Sequence, residues 1–179
     1  MTSTSFRSTR PTAGEFLSYY GTYIDQVPDG DIVQTMAAQN PETLKLIRSL
    51  AEADGDKRYA PDKWSIRQII GHIIDAERIF VYRALRFARA DATGVPGFDE
   101  NSWAANANNT KRKWKDLVEE FITVRAGTEL FFESLRDEDL LFSGTANNHP
   151  ANALALGYVA AGHVKHHLLL IKERYLGKK

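Results

Sequence analysis

The stretch RQIIGHIIDAERIFVYRALRFA, residues 67–88, limits the fold more than any other part of the chain. Its apolar residues Ile69, Ile70, Ile73, Ala76, Ile79, Phe80 and Leu85 recur every three or four positions, the period of one helix face and not of a strand. Just upstream, Ser65 and Gln68 have the spacing of a capping box, while Trp64 and Ile69 occupy the two positions of a hydrophobic staple. A helix of this length with one apolar face is stable only when that face is covered by other helices.

Further segments supply the cover. Pro11 and the Thr12/Glu15 pair predict a helix start, with Phe16, Tyr20, Tyr23 and Val27 on one face and VPDGD as its end. Residues 31–53, interrupted at Asn40-Pro41, predict two short helices that make a crossover and not a bundle member. After the Gly- and Pro-punctuated loop TGVPGFDENSW, Trp114, Leu117, Phe121, Val124, Thr128, Phe131 and Leu135 mark another long amphipathic helix. SGTANNHPAN breaks the chain again, and a last helix runs from Leu154 to Leu176, closed by Gly177. No run alternates apolar and polar residues convincingly, so the expectation is an all-α four-helix bundle. Residues 1–10 are expected to be a flexible N-terminal tail and 11–179 a single domain.

Composition excludes several functions. Of 179 residues, 23 are Lys or Arg and 23 are Asp or Glu, which gives no electrostatic reason to expect a nucleic-acid or anionic-membrane partner. No apolar run approaches the roughly 20 residues of a membrane span, and MTSTSFRSTR lacks the apolar core of a secretory signal. A cytoplasmic protein is the expectation. The chain has no cysteine, so disulfides, thiolate-ligated metals and cysteine nucleophiles are ruled out together. Any metal chemistry must rest on His, Asp and Glu.

Three of the five histidines crowd one turn of the last helix, in GHVKHH. His163 and His167 are four residues apart and share the inward side with Leu156, Val159, Ala160 and Leu170, the arrangement that lets two imidazoles chelate one ion. His166 sits at the shoulder, either competing with His167 for a ligand role or serving as a partly exposed neighbour or a partner of a ligand. His72 occupies the inward face of the earlier helix, where alone it reads as a core histidine satisfied locally. Together, three buried imidazoles without partners would be costly, and one divalent ion removes most of that cost. Nitrogen ligands favour a transition metal, zinc or nickel foremost, over calcium or magnesium. Three neutral ligands also leave at least one coordination position open to water or substrate.

Asp75, at the edge of the His72 face, either orients a ligand or pairs with Arg78 or Arg174. Arg83 and Arg174 lie about two to three turns C-terminal of the histidines, where they either snorkel at the bundle end or bind an anionic group. Asp99, Asn101 and Trp103 either border a substrate or cap and staple a helix start. His149, in the loop before the last helix, has no assigned role.

The segments WSIRQIIGHIIDAERIFVYRALRFA, GFDENSW and LALGYVAAGHVKHHLLLIKERYL resemble the DinB superfamily, through a W-S-x6-H-x2-D-x-E-R pattern and a terminal G-H-x-x-H-H. The resemblance implies a DinB/YfiT-like four-helix bundle with short extra helices between its first two long helices. It also implies a homodimer and one metal ion on His72, His163 and His167. Relatives that transfer or isomerise with a thiol make a metal-dependent thiol S-transferase, or a related hydrolase, the implied activity, with a low-molecular-weight thiol as co-substrate. The competing expectation is a non-catalytic metal-binding bundle serving as a stress-response interaction or sensor module.

Overall fold

A computed structural model describes residues 6–177. In chain order its helices are α1 (Gly21–Ile24), α2 (Ile32–Arg48), α3 (Ile66–Ala88), α4 (Glu100–Asn106), α5 (Trp114–Ser134), α6 (Asp137–Leu141) and α7 (Ala153–Leu170). A hairpin of β1 (Ser143–Ala146) and β2 (His149–Asn152) precedes α7. The long helices α2, α3, α5 and α7 form a four-helix bundle. Their extensive contacts run α2 to α5, α5 to α3, α3 to α7 and α7 back to α2. Consecutive members α2 and α3 therefore face each other across the diagonal, as do α5 and α7, and each of these pairs needs a crossover connection. The first crossover carries the short 3-10 helix Glu52–Asp56; the second carries α6 and the hairpin.

Local chemistry explains where the elements begin. Ser65 Oγ accepts from the Gln68 N–H at 3.2 Å and Gln68 Oε1 accepts from the Ser65 N–H at 3.0 Å, so both halves of the capping box at the start of α3 are made. The side chains of Asp31, Asp99 and Asn152 accept from backbone N–H groups and so cap α2, α4 and α7. The helix α7 is apolar on every side and almost entirely buried, as a helix without a polar face must be. The stretch Ala153–Tyr175 is long and apolar enough to cross a membrane, yet 78% of its 18-residue apolar window, of mean hydropathy 1.2, is buried within the bundle.

Three local expectations need correction. The first bundle helix is not the Thr12 segment. The Thr12 N–H and hydroxyl both donate to Glu15, but Gly14 adopts φ +99° and Glu15 is drawn to Asn152 at the start of α7, so only Gly21–Ile24 is α-helical there. Residues 32–48 instead form one unbroken bundle helix through Pro41. The bond lost at a proline costs about 3 kcal/mol. It is outweighed because Ile32 and Met36 enter one apolar cluster and Leu46 and Ile47 the other, which a break at Pro41 would uncouple. The loop SGTANNHPAN holds a hairpin, not a plain break: Asn147 and Asn148 take φ +52° and +63°, the left-handed pair that a type I′ turn requires. Of the segment expected as a flexible tail, residues 1–5 lie outside the described residues. Beyond them, Arg7 donates to the Glu133 and Leu135 carbonyls and Arg10 to those of Ile24 and Val27.

The core divides into two clusters stacked along the bundle. One gathers Phe80, Phe87, Phe132, Tyr158 and their neighbours; the other gathers Ile66, Ile70, Trp114, Leu117, Val164 and Ile171. Polar side chains occupy the level between them. On the α3–α5 side the Glu77 carboxylate pairs with Arg125 at 2.8 Å and accepts from the Thr128 hydroxyl at 2.7 Å, all three residues being buried. Burial pushes the Glu77 carboxyl up, against the opposing pull of Arg125 and Thr128. Removing one partner of such a pair typically costs about 3–5 kcal/mol, whereas replacing both with apolar groups is often neutral. Urea denaturation at neutral pH is therefore expected to show Arg125→Met destabilised on that scale and the Glu77→Leu/Arg125→Met double variant closer to wild type. A double variant less stable than the single one would contradict this account of the pair.

Candidate metal centre

The histidines occupy the same level of the bundle, on the α3–α7 side. His72 extends from the second turn of α3, and His163 and His167 from successive turns of α7. His163 Nε2 lies 3.0 Å from His72 Nε2 and 3.1 Å from His167 Nε2, and the ligand atoms of all three are within 4.8 Å of one another. A neutral imidazole carries a single N–H, so His163 Nε2 cannot make two good hydrogen bonds at once. A cation shared by three lone pairs satisfies all of them. Nitrogens bound at about 2.0–2.1 Å to one tetrahedral ion stand about 3.3 Å apart, close to the two separations from His163 Nε2. The donor set fits a single transition-metal ion.

Glycines before two of the ligands make the convergence possible. At Gly162 a Cβ would lie 2.1 Å from the Tyr23 carbonyl oxygen, so only glycine lets the α1 backbone pass over α7 beside His163. At Gly71 a Cβ would lie 2.0 Å from Asn109 Nδ2. The Tyr23 ring stands edge-on to His163 at 5.2 Å, and its hydroxyl is 3.1 Å from that of Tyr19. Burial holds the Tyr23 phenol well above its ordinary range, so it remains a neutral wall. Trp64, its carbonyl held by the Tyr175 hydroxyl at 2.6 Å, places its ring 4.8 Å from that of His72.

A cavity of about 330 Å³ opens from the three histidines toward solvent. Tyr19, Tyr20, Phe80 and Phe98 form much of its wall; Arg83, Asn147 and His166 also reach it, and Glu100 supplies a carboxylate at its exposed rim. The Gln26 amide nitrogen lies 3.4 Å from His166 Nδ1.

The other candidates fall elsewhere. Asp75 lies 3.7 Å from Arg78, which also pairs with Glu120, and it does not line the cavity. The Asp99 carboxylate accepts from the N–H groups of Asn101 and Ser102 as the cap of α4. Asn101 borders a separate depression with Tyr59 and Tyr175, Trp103 stacks on Phe98 at 4.5 Å, and His149 is exposed in β2. Sequence reasoning missed Tyr19, Glu100 and Asn147, and placed Tyr20 and Tyr23 on a core face; the aromatic density of LSYYGTY was the available signal.

The bundle and its histidine centre define a class: helical proteins that present three imidazoles from two facing helices to a solvent-connected cavity. Residues 36–171 match the DinB superfamily, and the chain belongs to it. A protein of Oceanobacillus iheyensis named as a candidate metal-dependent hydrolase is 31% identical over 132 residues, covering 70% of this chain and 73% of that protein. The solved structure of YfiT from Bacillus subtilis, a four-helix bundle of unusual topology, superposes with a TM-score of 0.71 over 96% of this chain and 95% of its own. At 14% identity that likeness shows the fold.

Burial lowers the proton affinity of all three imidazoles: His72 falls to about 4, and His163 and His167 fall well below the ordinary histidine range. An unfolded chain binds these protons near pH 6.5, so between that value and the depressed folded values the unfolded state holds more protons. The stabilisation is fully present above about pH 6.5 and is lost as the pH falls from there toward 4, by up to about 1.4 kcal/mol per pH unit for each histidine. Chemical denaturation of metal-free protein across this interval is expected to show that loss. A flat profile from pH 7 to 4.5 would contradict neutral buried imidazoles.

Proposed function

We propose that this protein is a divalent-metal-dependent enzyme in which His72, His163 and His167 hold one ion, zinc or nickel, and a low-molecular-weight thiol is the nucleophile. The observation that carries the reading is the convergence of three Nε2 atoms at the inner end of a cavity. An ion bound there would lower the pKa of a thiol or water beside it toward neutrality. No carboxylate joins the three histidines in the cluster, so the ligand set leaves the ion's charge for an anionic nucleophile to offset.

The surrounding residues do the rest. The chain has no cysteine, so the thiol must enter from solution. Trp64, Tyr23 and Phe80 crowd the rings of His72 and His163. The neutral Tyr23 phenol adds no negative charge to compete with the nucleophile. The Oceanobacillus relative's name favours a second reading in which water replaces the thiol and the reaction is a hydrolysis.

One set of samples separates the readings. Protein without a polyhistidine tag is assayed for bound metal and for turnover of a chromogenic thiol-reactive electrophile with a panel of low-molecular-weight thiols. One ion per chain and thiol-dependent turnover are expected. His72→Ala and His167→Ala are expected to lose the ion and to lower turnover by more than about 100-fold, beyond the cost of losing an outer partner. His166→Ala is expected to keep the ion. Thiol-independent cleavage of ester or amide substrates would establish hydrolysis, and retention of the ion by both ligand variants would overturn the site.

A further inference from the structure

Three arginines are buried among the described residues, and they differ in how their charge is met. Arg67 pairs with Glu52 at 2.9 Å and with Asp56 at 3.1 Å, and Arg125 pairs with Glu77 at 2.8 Å. Arg83, the most enclosed at 1% exposure, has no carboxylate within ion-pair distance among the described residues. Its guanidinium donates to two neutral oxygens: Nη1 to the Tyr20 hydroxyl at 3.3 Å and Nη2 to the Pro96 carbonyl at 2.9 Å. Its Nε is buried with no protein partner. A buried cation is normally paired, and leaving one uncompensated is unfavourable.

Arg83 lines the histidine cavity. His72, Ala76, Phe80 and Arg83 fall at steps of four, four and three along α3 and form one wall of it. Over these eleven residues the helix rises about 16 Å, and side chains on a helix lean toward its N-terminus, so Arg83 leans toward the histidines. Between the two polar ends the wall is apolar, with Ala76 and Phe80 joined by Leu17 and Phe98. The Arg83 anchors are themselves fixed. Val95 donates to the Thr145 carbonyl at 2.8 Å and accepts from Asn147 at 2.9 Å, which ties the Pro96 loop to the hairpin. Glu100 stays at the exposed rim and does not pair with Arg83.

We infer that Arg83 is an anion-binding subsite of the cavity, taking the carboxylate of a substrate whose apolar middle lies along Phe80 and Phe98 and whose reacting end meets the histidines. A guanidinium has five N–H groups. Two are engaged by Tyr20 and Pro96, which leaves one hydrogen on each terminal nitrogen, a parallel pair that a carboxylate meets with both oxygens. The Tyr20 hydroxyl, accepting from Arg83, keeps its own hydrogen to donate to the same anion. The inference rests on the cavity being the substrate site and names the class of substrate it takes.

The test uses 4-phenylbutanoate and its uncharged counterpart 4-phenylbutanamide as probes on the full chain, by calorimetry, with metal content measured on each sample. Wild type is expected to bind the carboxylate at least about tenfold more tightly than the amide, both metal-loaded and after chelation. Arg83→Gln is expected to abolish the preference without loss of metal, Arg83→Lys to retain part of it, and Tyr20→Phe to weaken it. In wild type labelled with ¹⁵N-arginine, the Arg83 Nε–H resonance is expected to shift with the carboxylate and not with the amide, a readout that needs no variant. A preference that survives Arg83→Gln but vanishes on chelation would place the carboxylate on the metal and overturn the subsite. Equal affinity for the two probes in wild type would also overturn it. Wild type that takes up no metal yet prefers the carboxylate would support the subsite while contradicting the metal reading above.

Discussion

Three imidazole nitrogens brought within hydrogen-bonding distance of a common point, between two apolar clusters, are the constraint on which the rest of this structure depends. His163 is the hub, with His72 and His167 at 3.0 and 3.1 Å. Holding these groups there requires α3 and α7 to be neighbours, and it requires the α1 backbone to lie against Gly162 so that Tyr23 closes the inner side. The diagonal placement of consecutive helices follows from the same need: the two helices carrying the ligands are distant in sequence and adjacent in space.

Elements that declare themselves through local chemistry were legible in the chain. The capping box and apolar period of α3 were both found, and the long helices α5 and α7 matched their periodic segments within a few residues. The spacing of His163 and His167 put them on one side of one helix, and the inward face of α3 put His72 opposite them. What sequence could not show is decided by tertiary contacts. Pro41 looks like a helix start, yet burial on both sides carries α2 through it. Thr12 and Glu15 make their local bonds, yet Glu15 is recruited by Asn152 and no long helix follows. The four-residue strands of the hairpin are too short for a periodic signal, and only the Asn-Asn turn marks them.

Charge is distributed by the same logic. Arg67 and Arg125 are buried with carboxylates and serve packing; the carboxylates of Asp75 and Asp99 are committed to an ion pair and a helix cap. Three imidazoles and a guanidinium that has no carboxylate partner line one cavity. A site that combines a cluster of lone pairs with a separate cation is suited to a substrate with two distinct ends.

The most direct measurement is anomalous diffraction from crystals of the metal-loaded protein, recorded at the absorption edge of the bound element. The account predicts one peak per chain, about 2.0–2.2 Å from the Nε2 atoms of His72, His163 and His167, with a remaining position facing the cavity. A peak bound through His166, or one displaced from the three Nε2 atoms, would contradict it.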